Sequence, residues 1–264
     1  MAAEKLNLVC HSVSEDGNLL CLEGSTRPWY FLRNQHPFND YVSGQLANDK
    51  GYQYELFAAA GLLIPKFSKI FNPLAPEQFN RYKKHQSVSE IIQMVEKEFT
   101  YPLIVKKCQG SGGRGVFLEN GKDGLAQRLE NLFTSAGFFD NVILIQAYIP
   151  GDEYRIVASQ NKVLLVYKKT SQSKSLANLN PLHQVDGRAV KVSDERIIES
   201  FNHLISKLAK VIDLGFYAVD LIIRDGQLYI LEINANPICF FYNRDNHRHD
   251  FTAAYEYLLK KYIS

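Results

Sequence analysis

The 264-residue sequence has few cysteines, little net charge and no long apolar run. Its four cysteines (10, 21, 108 and 239) lack CxxC spacing, which argues against a zinc site or a disulfide framework and favours free thiols in a reducing cytoplasm. The net charge of +2 comes without a basic tract, so nucleic acid is not expected as the main partner. No apolar run approaches membrane-spanning length, and the first residues lack a signal-peptide core, so no membrane association is expected.

The most informative stretch is 216–234, where two apolar runs flank an Arg-Asp-Gly turn signal and predict a β-hairpin. Three oxygen-bearing side chains interrupt these runs: Asp220, Glu232 and Asn234. A carboxylate in a buried strand is costly unless it is paired or bound to a cation. Because Glu232 and Asn234 are two residues apart, they point to the same face of the second strand.

The turn decides whether Asp220 shares that face. A two-residue Asp-Gly turn would pair Asp220 with Leu231 and place it on the opposite face. A three-residue Arg-Asp-Gly loop, with a left-handed glycine and a bulge, would pair Asp220 with Ile230 and bring all three side chains to one face. We predict the three-residue loop. Two carboxylates and an amide oxygen are hard ligands that suit Mg²⁺, especially Mg²⁺ that carries a nucleotide.

A second informative stretch joins a buried strand at 103–107 to a new strand that begins at Val116. The connecting segment QGSGGRG, residues 109–115, has four glycines in six positions, which permits positive φ angles. Successive backbone N–H groups can then converge on an anion, with Lys106 before the loop and Arg114 inside it. We predict a phosphate cradle. It is neither a Walker A loop, because no GK[ST] follows, nor a dinucleotide fingerprint, because no helix follows.

The remaining chain is predicted to alternate helices and short strands. Short strands are predicted within 6–33, and longer ones at 141–146, 152–159 and 162–170. Helices are predicted at 45–60 with Ser43 as cap, and at 87–98, 122–135, 194–212 and 250–262. A short linker at 147–151 is of the kind that joins two lobes, and loops are predicted at 171–188 and 235–249.

These motifs make the chain resemble ATP-grasp enzymes, and among them the RimK-like glutamate-ligase branch, typified by the ribosomal protein S6 modification ligase. The matching pieces, in family order, are Asn48-Asp49-Lys50 with 60–65, then 102–116, then 145–155, then Val219-Asp220 through Glu232-Ile233-Asn234. The glycine loop is a moderately specific signal, and the Asp…Glu-x-Asn set at the family's spacing is a strong one.

The resemblance implies an α+β fold in which two α+β lobes grip ATP. Residues 1–44 would form a short β-rich segment, 45–146 the lobe with the glycine loop, and 147–264 the lobe with the metal-binding hairpin. Three features depart from the family pattern. Only about 45 residues precede the grasp region, Lys107 stands where relatives often have proline, and the segment after Pro237 is atypical.

The resemblance also implies roles for individual residues. Lys50 and Lys106 would contact the phosphates of ATP, and Glu153 would bind its ribose. The loop over the phosphates would comprise Gly110, Ser111, Gly112, Gly113 and Gly115, and the hinge that contacts adenine would comprise Gln146, Ala147, Tyr148 and Ile149. Asp220, Glu232 and Asn234 would hold one or two Mg²⁺ ions, for which Mn²⁺ is a compatible substitute. The positions that meet phosphate or acceptor groups in relatives are Arg155, Lys168 or Lys169, and Asn178, of which Arg155 and Lys169 are the catalytic candidates.

The resemblance implies a carboxylate–amine ligase. ATP would phosphorylate a carboxylate, and an amine would attack the acyl phosphate, giving an amide with ADP and phosphate. The expected substrates are a small-molecule or peptide carboxylate and an amine, and a homodimer is compatible with the family. A small-molecule kinase on the same fold and a non-catalytic nucleotide-binding regulator are alternatives. The intact carboxylates and lysines disfavour the regulator, and family frequency favours ligation over phosphorylation.

Overall fold

The computed structural model describes residues 2–110, 112–135, 140–173 and 179–263. Within these ranges the helices are α1 Ala2–Lys5, α2 Tyr41–Leu46, α3 Lys50–Ala59, α4 Val88–Glu98, α5 Lys122–Thr134, α6 Glu195–Leu208, α7 Phe240–Asp245 and α8 Arg248–Tyr262. The strands are β1 Cys10–Ser12, β2 Leu19–Glu23, β3 Pro28–Leu32, β4 Phe67–Phe71, β5 Leu103–Lys107, β6 Val116–Glu119, β7 Val142–Ala147, β8 Asp152–Ser159, β9 Lys162–Thr170, β10 Arg188–Lys191, β11 Tyr217–Arg224 and β12 Gln227–Asn234. Two 3₁₀ turns lie at Glu77–Tyr82 and Pro181–His183. None of the described helices has the length and apolar character needed to cross a membrane.

A four-stranded antiparallel sheet, in the order β4-β7-β5-β6, forms the first structural layer. Helices α4 and α5 cover it, and residues such as Ile91 and Leu129 pack against Val105 in the core. Helix α4 begins at the predicted cap, Ser87, whose hydroxyl accepts a hydrogen bond from the backbone N–H of Glu90 at 3.2 Å. Because the apolar side chains of both helices recur on one face, they bury that face and leave the opposite one to water.

A five-stranded antiparallel sheet, in the order β10-β9-β8-β11-β12, forms the larger layer. One face packs on α6, where Phe201 contacts the core that contains Val219. The other face packs in part on α8 and on the three-stranded sheet β1-β2-β3, through a core that contains Ala218 and Leu258. With both faces covered, β11 is apolar at nearly every position, and its one buried carboxylate, Asp220, continues the face of Ala218.

The predicted helix at 45–60 is wrong in its bounds, because the structure divides this region into α2 and α3. Asp40 caps α2, and Asp49 caps α3 by accepting hydrogen bonds from two backbone N–H groups of the first turn. Ser43 lies inside α2 and does not cap the predicted helix. Two predicted loops also contain regular structure, since β10 begins at the end of 171–188 and α7 lies within 235–249.

The predicted three-residue hairpin loop is wrong. Strands β11 and β12 are joined by a two-residue turn in which Asp225 and Gly226 both have positive φ, 51° and 74°. Leu221 pairs with Ile230, but Asp220 pairs with Glu232, so the residue between them is the extra residue of a β-bulge. The bulge, rather than the turn, brings Glu232 to the face of Asp220.

Candidate active site

A cleft of about 630 Å³ lies between the four-stranded and five-stranded sheets. This volume is in the range of small-molecule sites. Part of its wall is apolar, from Ile104, Leu118, Ile149, Ile222 and Leu231. Another part of the wall is polar and carries ionisable side chains, among them Lys50, Lys106, Glu153, Lys169, Asp220 and Glu232. The cleft therefore combines a surface suited to a flat apolar ring with a surface suited to charged groups.

Strand register brings the charged residues of the five-stranded sheet together. Asp220 of β11 lies directly opposite Arg155 of β8, and Glu153 of β8 lies opposite Lys169 of β9. The Arg155 guanidinium donates two hydrogen bonds to the Asp220 carboxylate, at 2.7 and 2.6 Å. The Lys169 ammonium lies 2.8 Å from Asp220 Oδ1 and 2.5 Å from Glu153 Oε1. The two parallel hydrogen bonds between Arg155 and Asp220 hold both side chains in a fixed orientation.

Burial and charge act in opposite directions on these carboxylates. Burial alone would raise the pKa of Asp220, but Arg155 and Lys169 outweigh it and hold the pKa below its usual range. Burial raises the pKa of Glu153, although Lys169 opposes that shift. Burial would lower the pKa of Lys169, yet Asp220 and Glu153 raise it. Asp220 is therefore an ionised carboxylate with two permanent cationic neighbours.

The bulged strand β12 contributes the two other candidate metal ligands. The Asn234 amide lies 3.3 Å from Asp220 Oδ2 and 3.4 Å from Glu232 Oε1. Glu232 Oε2 lies 3.1 Å from the Lys50 ammonium. The oxygen and nitrogen of an Asn side chain exchange places by a simple flip, so all three groups can direct oxygen to one point. Such a set of hard oxygen donors fits Mg²⁺ or Mn²⁺. Among the described residues, no group of three or more His, Cys, Asp or Glu side chains is placed to hold a metal ion, so the candidate set here consists of two carboxylates and the Asn234 amide.

Lys106 of β5 reaches across the cleft to the hairpin. Its ammonium donates to the hydroxyl of Tyr54 at 3.2 Å and to the carbonyl of Leu231, the bulge residue, at 3.3 Å. The Tyr54 hydroxyl in turn donates to Gln146 Oε1 at 2.7 Å. Burial lowers the pKa of Lys106 to about 7, and the Lys50 charge adds to this effect while that of Glu232 opposes it. The sequence did not single out Tyr54. The one available signal was its position four residues after Lys50 on a predicted helix.

The glycine loop has the backbone that the sequence predicts. Positive φ angles are found at Gly110 (132°), Gly112 (68°), Gly113 (71°) and Gly115 (74°). The Lys50 ammonium donates to the carbonyl of Gly110 at 2.8 Å, so one lysine contacts both the loop and Glu232. Gly110, Gly113 and Arg114 line the cleft. Ser111 and Asn178, two residues with predicted roles, lie outside the described residues.

The hinge between β7 and β8 closes one end of the cleft. Gln146, Tyr148 and Ile149 line it, and the Gln146 side chain is held by Tyr54. Ala147 differs from its neighbours, because its backbone N–H donates to the carbonyl of Lys66 at 2.8 Å. The structure thus brings the predicted lysines, Glu153, Asp220, Glu232 and most of the hinge to one cleft. The predicted site residues that are described but do not line it are Ala147, Gly112, Gly115, Arg155 and Asn234.

Comparison with known proteins identifies the family. The RimK-like ATP-grasp domain matches residues 47–247. The chain therefore belongs to the RimK-like ATP-grasp family, as the sequence motifs predicted. It is 27% identical over 196 residues to a probable alpha-L-glutamate ligase of Desulfotalea psychrophila, a match that covers 72% of this chain and 36% of that protein. It is 25% identical over 212 residues to the uncharacterized protein MG012 of Mycoplasma genitalium, covering 79% and 68% of the two chains.

Solved structures confirm the predicted α+β ATP-grasp fold. The D-alanine–D-alanine ligase from Bacillus anthracis aligns with a TM-score of 0.60 at 19% identity, covering 84% of this chain and 68% of that one. A structure of the same enzyme complexed with ATP aligns with a TM-score of 0.59. Against curated relatives the chain is shorter, since it spans 36% of the glutamate ligase and 42% of a Nitratiruptor D-alanine–D-alanine ligase.

Proposed function

We propose that this protein is an ATP-dependent carboxylate–amine ligase that forms an amide or peptide bond. The observation that carries the proposal is the convergence in one cleft of a positive-φ glycine loop, cationic side chains and the carboxylates of Asp220 and Glu232, next to which the Asn234 amide lies. The apolar wall beside Gln146 suits adenine, and the charged side suits the phosphates. Relatives named alpha-L-glutamate ligase and D-alanine–D-alanine ligase support the same reaction class.

Each group has a defined task in the proposed reaction. Lys50, Lys106 and the loop N–H groups bind the phosphates of ATP, and Glu153 and hinge residues 146–149 bind the ribose and adenine. Asp220, Glu232 and Asn234 would hold one or two Mg²⁺ ions, which would neutralise phosphate charge. Arg155 and Lys169 hold Asp220 in place and add positive charge near the transferring phosphoryl group.

The proposed reaction has two steps. The γ-phosphoryl group leaves ADP and forms a bond to an oxygen of the substrate carboxylate, which gives an acyl phosphate. An amine then attacks the acyl carbon, loses a proton and displaces inorganic phosphate. No side-chain nucleophile is needed, because positioning and charge neutralisation suffice. Closure of the glycine loop would protect the acyl phosphate from water.

The proposal extends to the organisation of the protein. Residues 45–146 and 147–264 form the two lobes around ATP, and residues 1–44 form a separate β-rich segment. The substrates are a small-molecule or peptide carboxylate and an amine, with neither nucleic acid nor a membrane as partner. We propose a cytoplasmic location, and a homodimer is an assembly compatible with the family.

The test is to measure ADP and inorganic phosphate together, with Mg-ATP and either complete or desalted cytosolic extract. Equal release of both products that depends on the small molecules of the extract is expected for a ligase. Release of ADP without phosphate would identify a kinase and refute ligation. Neither product, with Mg-ATP still raising the melting temperature, would favour a nucleotide-binding protein without this chemistry or a macromolecular acceptor that the extract lacks.

Glu232→Ala should abolish turnover with little loss of stability, because the Glu232 side chain lies at the cleft and is 22% exposed. Glu55→Ala is the matched control, since Glu55 pairs with Lys69 at the surface and lies outside the cleft. Turnover and melting temperature should be measured for both variants. Normal turnover in Glu232→Ala would overturn the metal assignment.

A further inference from the structure

The backbone on one side of Asn234 is held by a buried side chain from outside the hairpin. Gln53 of α3 is 1% exposed. Its Oε1 accepts from the N–H of Ile233 at 2.8 Å, and its Nε2 donates to the carbonyl of Ile233 at 3.1 Å and to that of Ala47 at 2.8 Å. Strand β12 is an edge strand, with β11 on one side only. The Gln53 amide therefore pairs with its open edge as a neighbouring strand would.

A second carboxamide holds the backbone on the other side of Asn234. Asn39 precedes α2, and its Nδ2 donates to the carbonyls of Ala235 and Phe216, each at 2.9 Å. Its Oδ1 accepts from the N–H of Phe216 at 2.9 Å. His36 Nε2 also lies 2.8 Å from the carbonyl oxygen of Ala235. One side chain thus ties the start of β11 to the end of β12.

The segment that carries Asn39 is packed closely enough to act as a rigid support. A β-carbon at Gly215 would lie 2.0 Å from the carbonyl oxygen of Phe38, so the two backbones are in direct contact. The Phe38 ring packs at 5.2 Å from Tyr262 and 6.5 Å from Phe216, centroid to centroid. These contacts fix Asn39 relative to the hairpin.

We propose that Gln53 and Asn39 are positioning residues that set the place of Asn234, and with it the spacing of the metal ligands. All of their hydrogen bonds described above end on main-chain atoms, so they act through the backbone and not as ligands. This role rests on the proposed function, since it requires the metal site. Residues that orient metal ligands commonly change metal affinity by 10–100-fold when they are replaced. Through Asn39, the proposed role also connects residues 1–44 to the candidate metal site.

The test is the affinity for Mn²⁺, measured from the electron paramagnetic resonance signal of the free ion in the presence of β,γ-methylene ATP. Gln53→Leu and Asn39→Ala should each raise the Mn²⁺ dissociation constant by about tenfold or more. The control is Asn72→Ala. Asn72 is also a buried carboxamide that hydrogen-bonds to main-chain groups, but these groups belong to Leu74 and Phe133 in the other lobe. It should leave the Mn²⁺ dissociation constant unchanged even if it lowers the melting temperature.

The outcomes separate this role from the proposed function. If wild-type protein does not bind Mn²⁺ with the nucleotide, the proposed metal site is wrong. If it binds, and both variants are folded by circular dichroism and bind Mn²⁺ as tightly as wild type, the positioning role is refuted. Asn39 is only half-buried, so Asn39→Ala is expected to fold. If Gln53→Leu does not fold, the Mn²⁺ affinity of Asn39→Ala alone tests the positioning role.

Discussion

Lys106 is expected to make nucleotide binding weaken as the pH rises above 7. Burial lowers its pKa to about 7 in the free protein, with a further decrease from Lys50 that Glu232 and Cys108 oppose. The phosphates of a bound nucleotide bring negative charge and favour the protonated ammonium. With Lys106 in the proposed phosphate-binding role, its protonated form is the one expected to bind, and the population of that form should limit the apparent affinity.

The magnitude follows from that population. With a pKa of about 7, roughly half of the Lys106 side chains are protonated at pH 7 and about a tenth at pH 8. The apparent dissociation constant for Mg-β,γ-methylene ATP should thus rise about fivefold between pH 7 and 8, and about tenfold over the next unit. Titration calorimetry in buffers of different ionisation enthalpy should show uptake of nearly one proton at pH 8.

Two variants isolate the source of this pH dependence. Lys106→Met should bind more weakly at pH 7 and show no proton uptake. Lys162→Met should behave as wild type, since Lys162 is exposed and lies outside the cleft. A wild-type affinity that stays flat from pH 7 to 9 with no proton uptake would refute the assignment.

The stability of the folded protein should rise with pH, whereas nucleotide affinity falls. The unfolded chain binds this proton up to about pH 10.5 and the folded chain only to about pH 7, so the contribution of Lys106 to stability rises across that window.

Two glycine substitutions test the backbone arguments. Gly115→Ala places a side chain at φ 74° and 2.9 Å from the Lys107 Cδ, so it should lower the free energy of unfolding by about 1–2 kcal/mol and weaken nucleotide binding. Gly215→Ala should displace the backbone of Phe38, lower stability by about 1–3 kcal/mol and weaken Mn²⁺ binding. Gly44→Ala, in open space on α2, is the control for both. Denaturation and ligand titration check each variant, and wild-type behaviour of either would contradict its argument.

Local signals predicted much of the fold. The bounds of β5, β8 and β9 match the prediction, because each apolar run ends at turn residues. The Ser87 cap of α4 and the positive φ angles of the glycine loop were also predicted from residue type alone. In these cases the interaction that decides the structure lies within a few residues, where a sequence displays it directly.

The β-bulge was not predictable in the same way. The Asp-Gly turn has the two positive φ angles typical of a tight hairpin, so the odd residue needed to align Asp220 with Glu232 had to lie elsewhere. An extra residue inside an apolar strand changes neither composition nor periodicity enough to be seen. Its position has a second consequence, because the carbonyl of Leu231 accepts a hydrogen bond from Lys106. The bulge residue Leu231 thus brings Glu232 to the same face as Asp220, and its carbonyl connects the five-stranded sheet to Lys106 of the four-stranded sheet.

The supporting residues were missed because their partners are distant in the chain. Gln53 bonds to Ile233, 180 residues away, and Tyr54 to Gln146, 92 residues away. Both lie on α3, and with Lys50 they occupy positions i, i+3 and i+4, one face of the helix. That face contacts Glu232, the backbone beside Asn234, and Lys106. The predicted helix at 45–60 already places these three side chains on one face, but nothing within it indicates that their partners lie on β5, β7 and β12, which is why their roles could not be predicted.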